Sequence, residues 1–280
     1  MLSRYLESSL KSYTRSQRGK GVRKKVTGTS FTPKNWDLFL QNSENKTELF
    51  NFMADTIAEL PSNHDITITK NEQALNNQNK DCDALICSHE EADTRMFVHV
   101  RHAAIAGSRR VTLKVNDTDI LVIAVALFST LQLDGLEELW LDFGTSTNQQ
   151  IIPVHDVVAN LGQDICDGLL FFHAFTGCDT VSATRKKGKK TWYNTWRAFP
   201  EISAVFSRLS NSPTNVSTSD IDLLQRFVIL AYDKNSQCTN VDETRLELFA
   251  HKNRPYDSIP STLAALTEHI SRAAFQAGWV

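Results

Sequence analysis

The fold of this chain is indicated most clearly by the segment CDALICSHEEADTRMFVHVRHAAIAGSRRVTLKVNDTD, which runs from Cys82 to Asp119. Ala84–Cys87 is a short apolar run that suits a buried strand, and residues 89–106 carry apolar side chains at helical spacing. A glycine ends this helix, and Val111–Val115 is a second short strand. A strand, a helix and a strand with short joints form a βαβ unit, whose two strands lie parallel.

Two pairs of acidic residues follow the two predicted strands. Glu91 and Asp93 come after the first strand, and Asp117 and Asp119 come after the second. Because ligands of an open parallel sheet bind beyond the carboxyl ends of its strands, we expect the four carboxylates at one edge. Crowded carboxylates suit Mg²⁺ or Mn²⁺, which prefer oxygen ligands. The alternatives are structural: Glu91 closes a capping box with Ser88, and Asp119 is an acid favoured by the helix dipole.

Composition is that of an ordinary soluble globular protein. The chain has 280 residues, of which 41% are hydrophobic and 22% are charged, and its formal net charge of -2 gives no overall argument for nucleic acid. No apolar run reaches the about 18 residues of a transmembrane helix, and the N-terminus lacks the apolar core of a signal peptide. The cysteines have no zinc-finger spacing, so we expect an intracellular, reduced protein, in the nucleus rather than the cytoplasm.

The first 25 residues are strongly basic. Lys11 and Arg18 are seven residues apart, which places them nearly in line on a helix. Two aligned cations of this kind can bind phosphate groups. The alternative interpretation is a solvated basic face or a disordered basic arm.

The remaining pattern predicts an α/β fold with a central, mostly parallel, twisted sheet, helices on both faces and a helical C-terminal region. We divide the chain into a basic helical part of the same domain (1–60), an α/β core with the acidic site (61–184) and the helical region (185–280). Residues 120–131 are predicted as a helix from their length, and the polar segment Lys70–Lys80 as a surface helix or loop.

A second candidate site lies in the motif FHAFTGCDT and the basic run RKKGKK that follows it. Asp179 ends a Gly-Cys-Asp sequence, where it is either a metal ligand or a helix N-cap. The basic run is predicted to hold a nucleic-acid backbone without reading its sequence, through Lys186, Lys187, Lys189 and Lys190. The alternative for this run is a charged surface turn.

Taken in order, these motifs resemble the flap-endonuclease branch of the PIN-like nuclease superfamily. The matching residues are Glu91 with Asp93, Asp117 with Asp119, and then Asp179. The spacing between the motifs is longer than in those enzymes, and the resemblance covers residues 3–200. The same motifs are also similar to a group of uncharacterised animal proteins that occur in many copies per genome.

The resemblance implies a nuclease that uses one or two Mg²⁺ or Mn²⁺ ions held by the five acids, with Lys11 and Arg18 at the scissile phosphate of DNA or RNA. Ser3 stands near the position of an acid in that family, and the family's first strand would precede Met1, so we expect a domain that is incomplete at its N-terminus. The alternative function is a non-catalytic module that binds nucleic acid or protein. A Rossmann-like nucleotide binder is disfavoured, since the chain has no G-x-G-x-x-G motif.

Overall fold

The computed structural model describes residues 21–89, 91–145 and 148–278. Lys11 and Arg18 lie outside the described residues, so their predicted contact with phosphate stays a prediction. The chain divides into two units: the first comprises residues up to Val111 together with Leu131–Glu137, and the second comprises Thr112–Thr130 and the residues from Glu138 onward. The fold is α/β with small sheets and a helical C-terminal region, which confirms the predicted fold class at that level.

The first unit contains a hairpin and several helices. Its described elements are α1 (Trp36–Gln41), α2 (Ser43–Ala58), β1 (Thr67–Lys70), β2 (Gln73–Asn76) and α3 (Ala92–Ile105). Asn35 and Asn42 are the N-caps of α1 and α2, and each side chain accepts a backbone N–H of the first turn. β1 and β2 pair in antiparallel fashion, and the two residues between them form the turn.

The strand predicted at Ala84–Cys87 is wrong, because Asp83–Leu85 forms a short 3₁₀-helix instead. A carboxylate oxygen of Asp81 accepts the N–H of Asp83 at 2.9 Å, which bends the chain into a turn just before the apolar run. α3 also begins later than predicted, with Glu91 as its N-cap residue, so the expected Ser-x-x-Glu box does not form. In the part of the chain that the structure describes, the predicted βαβ unit therefore lacks its first strand.

A three-stranded sheet lies mostly in the second unit. It is formed by β3 (Arg110–Val115), β4 (Glu138–Phe143) and β5 (Gln150–Pro153), in the order β3-β4-β5, with α4 (Thr118–Leu133) joining β3 to β4. β5 is antiparallel to β4. The N–H groups of Glu137 and Gly144 donate to the carbonyls of Arg109 and Val115, so β3 and β4 run in the same direction. The described strands do not include the predicted central, mostly parallel sheet.

The rest of the second unit is helical. Its α-helices are α5 (Val154–Leu161), α6 (Gln163–Phe175), α7 (Lys189–Ala198), α8 (Ser203–Asn211), α9 (Thr218–Tyr232), α10 (Val241–Ala250) and α11 (Leu263–Ala277). Ser217 and Asp220 form a reciprocal capping box that fixes the start of α9. Among the described helices, none has both the length and the apolar character needed to cross a membrane.

Aromatic rings fill the core of this helical region. The Trp196 ring packs against a tilted Phe172 ring and the edge-to-face Phe206 ring, with centroid distances of 4.9 and 4.8 Å. α6 approaches these rings closely because it carries Gly168 at the contact, where a Cβ atom would lie 2.8 Å from Cβ of Phe206. The core therefore fixes α6, α7 and α8 against one another, and α6 and α7 carry part of the candidate site.

Candidate functional site

Asp117 and Asp119 lie at the junction between β3 and α4. A carboxylate oxygen of Asp117 accepts the N–H of Asp119 at 3.0 Å, which is the bond that an N-cap residue makes to the first turn of a helix. Asp119 itself lies in that first turn, where the helix dipole stabilises a negative charge. The structural alternative for Asp119 therefore describes its backbone position correctly.

The Asp119 carboxylate faces a histidine of α6. Nε2 of His173 lies 3.1 Å from Oδ1 of Asp119, and the two side chains are 15% and 35% exposed. Despite this distance, the buried Nε2 atom has no partner with hydrogen-bond geometry among the described residues. Burial lowers the pKa of His173, and the Lys189 cation lowers it further, whereas the Asp119 charge opposes both effects. The ring is therefore mainly neutral at pH 7.

Lys189, one of the four predicted nucleic-acid-binding lysines, folds back onto the end of α6. Its Nζ atom donates to the carbonyl of Gly177 at 2.6 Å, and to the carbonyl of His173 and the hydroxyl of Thr176 at 3.2 Å each. A cation at this position stabilises the C-terminal end of a helix. Burial lowers the pKa of Lys189, while the charges of Cys178 and Asp119 act in the opposite direction.

The ammonium group of Lys189 also lies close to the ring of His173. Its Nζ atom is 3.4 Å from Nδ1 of His173, on the other side of the ring from the Nε2 atom that faces Asp119. Asp119, His173 and Lys189 thus form a row of polar groups, the Asp–His–Lys row, from the start of α4 to the start of α7.

Two other predicted lysines are also engaged inside the second unit. Nζ of Lys186 lies 2.8 Å from a carboxylate oxygen of Asp257. Nζ of Lys187 donates to the carbonyl of Ala231 at 2.8 Å and lies 4.7 Å from the ring centre of Tyr232. Each cation is thus engaged by groups of the protein, although the Lys186 side chain is still 53% exposed.

Lys190 differs from the other three lysines in its contacts. It is exposed, and so are Asn194 and Arg197, which follow it on α7 at helical spacing. Trp192 and Trp196 occupy the opposite, buried side of the helix. α7 contains no acidic residue, and within the described residues neither Lys190 nor Arg197 has a hydrogen bond or an ion pair. We call Lys190, Asn194 and Arg197 the basic face of α7.

The predicted acids are divided between the two units. Glu91 and Asp93 belong to the first unit, at the start of α3, whereas Asp117, Asp119 and Asp179 belong to the second. Asp179 is exposed in the turn after α6. Among the described residues, no group of three or more His, Cys, Asp and Glu side chains is arranged to hold a metal ion. Binding of Mg²⁺ or Mn²⁺ stays a prediction, and the described residues do not include a set of ligands for it.

Sequence reasoning missed His173, Asn194 and Arg197. His173 lies inside the FHAFTGCDT motif, and the presence of a histidine on the last turn of a helix before an acidic loop was an available signal. Asn194 and Arg197 follow Lys190 at spacings of four and seven residues, which is the spacing of one helix face. The contacts of Lys186, Lys187 and Lys189 within the protein could not be predicted from the sequence. The residue types of a basic run do not indicate whether its side chains bond within the protein or face solvent.

Comparison with known proteins adds no relative. The chain matches no protein-family model, and it has no significant similarity to a curated protein or to a solved structure. The resemblance to flap endonucleases is therefore supported by the short motifs of the chain alone.

Proposed function

We propose that the second unit is a nuclease-like module that binds the phosphate backbone of DNA or RNA and does not cleave it. The observation that carries this proposal is the basic face of α7. Its two cations lie about 10 Å apart along the helix, since seven residues separate them at 1.5 Å each. Contacts of this kind neutralise phosphates and read no base sequence.

Lys189 of the Asp–His–Lys row helps to orient the basic face of α7. Lys189 is the first residue of α7, and its ammonium group is bonded to the last turn of α6. This bond fixes where α7 begins and so orients the exposed residues that follow Lys189. Lys189 is then a positioning residue, while Lys190 and Arg197 are the residues that touch phosphate.

The acids of the second unit support binding over hydrolysis. Asp117 caps α4 through its side chain, and the Asp119 carboxylate lies 3.1 Å from Nε2 of His173. A two-metal centre needs carboxylate oxygens that converge on the ions, because Mg²⁺ requires near-octahedral oxygen coordination. The side chains of Asp117 and Asp119 are instead used within the protein, so we assign them no step in a reaction.

A binding titration tests the proposal. Labelled DNA duplex, single-stranded DNA and RNA are titrated with the full chain and with a Lys190→Ala/Arg197→Ala variant at two salt concentrations. The matched control is Lys114→Ala/Lys234→Ala, which removes the same charge from exposed lysines elsewhere in the second unit. For duplex DNA we expect the α7 variant to bind more weakly, with a slope of log K against log salt that is flatter by about 2. Equal binding by the two variants would show that the basic face of α7 does not contact the nucleic acid.

A cleavage assay separates binding from hydrolysis. The same nucleic acids are incubated with the full chain and millimolar Mg²⁺ or Mn²⁺, beside an Asp117→Asn variant. We expect intact nucleic acid in both cases, because Asp117 acts as a helix cap. Metal-dependent cleavage that disappears in Asp117→Asn would overturn the non-catalytic proposal in favour of a phosphodiester hydrolase.

A further inference from the structure

A cavity of about 550 Å³ lies among the helices of the second unit, away from the basic face of α7. This volume is within the range of small-ligand sites. Its walls combine three guanidinium groups with aromatic rings, namely Arg185, Arg245 and Arg272 with Phe175, Trp192, Tyr232 and Tyr256. One carboxylate, that of Asp257, also lines the cavity, and its nearest cation is Lys186, 2.8 Å away.

The three arginines have no carboxylate at hydrogen-bond distance among the described residues. Arg185 lies 3.8 Å from Asp257, Arg245 lies 3.9 Å from Asp242, and Arg272 lies 3.7 Å from Glu268. A charge-assisted hydrogen bond is shorter, at about 2.7–2.9 Å. The guanidinium groups can therefore accept a further anion, and their planar geometry suits the paired oxygens of a phosphate.

Arg245 is held in place at the cavity wall. Its Nη1 atom donates to the carbonyl of Pro260, and its guanidinium carbon lies 5.6 Å from the centre of the Tyr256 ring. Its side chain is only 16% exposed. A fixed guanidinium loses little conformational freedom when an anion binds, so the site is partly preorganised.

The aromatic residues provide a surface for a planar group. Tyr256 is 73% exposed, which leaves ring surface open to a ligand. Nucleic-acid bases stack on such rings irrespective of base identity.

We infer that this cavity binds a nucleoside monophosphate, with the phosphate on the arginines and the base against Tyr256. A free nucleotide and the terminal nucleotide of a single strand share this chemistry. The inference is independent of the basic face of α7, since it uses other residues and a different type of recognition.

Calorimetric titration of the full chain tests the inference. The probes are AMP, adenosine, inorganic phosphate and phosphotyrosine, together with a short single strand with and without a 5′-phosphate. We expect AMP to bind on the order of tenfold more tightly than adenosine or phosphate, because it uses both halves of the site. Tighter binding of the phosphorylated strand than of AMP would identify a strand terminus as the source, and tighter binding of AMP would identify a free nucleotide.

Variants localise the binding to the cavity. Arg185→Ala/Arg272→Ala removes two exposed cations and is expected to weaken AMP binding about tenfold while adenosine binding stays the same. Tyr256→Leu should weaken AMP and leave phosphate unaffected, and Lys114→Ala/Lys234→Ala serves as the control of equal charge. The inference is overturned if AMP shows no binding at millimolar concentration, if the arginine variant and the control bind AMP equally, if phosphate alone binds as tightly as AMP, or if phosphotyrosine binds more tightly.

Discussion

The first unit buries a guanidinium group, whereas the second buries a cluster of aromatic rings. Arg95 is 1% exposed, and its Nη2 atom donates to the carbonyl of Gln73 at 2.9 Å while Nη1 donates to the carbonyl of Asn71. In the second unit the largest fully buried side chains are those of Trp192 and Trp196, which are 1% and 0% exposed. Both units thus place a large side chain at their centre, but of opposite chemical character.

This difference indicates which interactions stabilise each unit against unfolding. The guanidinium of Arg95 binds carbonyls at the turn between β1 and β2, so it stabilises the hairpin through directional bonds that fail once the turn moves. The aromatic cluster stabilises through apolar area removed from water, a contribution that grows with the number of rings. We therefore expect the loss of unfolding free energy to increase with the side-chain volume removed in the core of the second unit. In the first unit we expect it to increase with the number of hydrogen bonds removed.

The largest effect is expected from Trp196→Ala. This change removes the ring that contacts Phe172 and Phe206 and the hydrogen bond from Nε1 to Ser203 Oγ at 2.8 Å. A truncation of this size in a packed core lowers the free energy of unfolding by about 3–5 kcal/mol. Urea unfolding followed by circular dichroism measures it.

The control for this first prediction is Trp36→Ala, which removes the same side chain from a position that is 43% exposed. We expect that control to change the free energy of unfolding by about 1 kcal/mol or less. Similar losses at the two tryptophans would show that the aromatic cluster is not the main source of stability in the second unit.

A smaller loss is expected from Arg95→Met, which keeps the length of the side chain and removes its donors. The carbonyls of Asn71 and Gln73 then lose a charged partner, and we expect a loss of about 2–3 kcal/mol. Arg101→Met is the matched control on α3, because the Arg101 side chain is 60% exposed and pairs with Asp134 at 2.8 Å. An exposed pair contributes little, about 0.5 kcal/mol. Equal losses in the same unfolding experiment would contradict a structural role for the buried guanidinium.

The same contrast explains which elements could be predicted from the sequence. α4 carries a long apolar pattern, so its existence follows from its composition and length, and its bounds are close to the predicted range 120–131. β2 lies inside the polar segment Lys70–Lys80. The prediction of a surface helix or loop for this segment is therefore wrong where β2 forms. It forms a strand because Asn71 adopts a φ of 54° in the turn and because β1 pairs with it, and neither cause leaves an apolar pattern.

The candidate site was predictable in part for the same reason. The positions of Asp117 and Asp119 after a strand and at the start of a helix were read correctly, since both depend on local sequence. Their partner His173 comes from a different helix, and the packing of α6 decides that contact. Likewise, the direction of each lysine side chain in the basic run depends on the carbonyls and carboxylates that surround it in the folded chain.

The smallest effect concerns the stability of the first unit in acid. His99 of the first unit has its pKa lowered to about 4 by burial, with the Arg95 charge acting in the same direction, and its Nε2 atom has no partner among the described residues. The unfolded chain has a histidine pKa of about 6.5. Between pH 6.5 and 4 the unfolded chain therefore binds a proton that the folded chain does not, so stability falls as the pH is lowered through this window.

Replacing His99 by Leu should remove this component of the pH dependence. In urea titrations at pH 7, 5.5 and 4.5, we expect the midpoint of His99→Leu to fall less steeply than that of the wild type as the pH decreases. His64→Leu changes an exposed histidine of the same unit and should follow the wild-type slope. Because His173 also has a pKa lowered by burial, part of the slope should persist in His99→Leu, where the second unit is its source. If His99→Leu and His64→Leu show the same slope, burial of His99 makes no contribution to the acid sensitivity of the first unit.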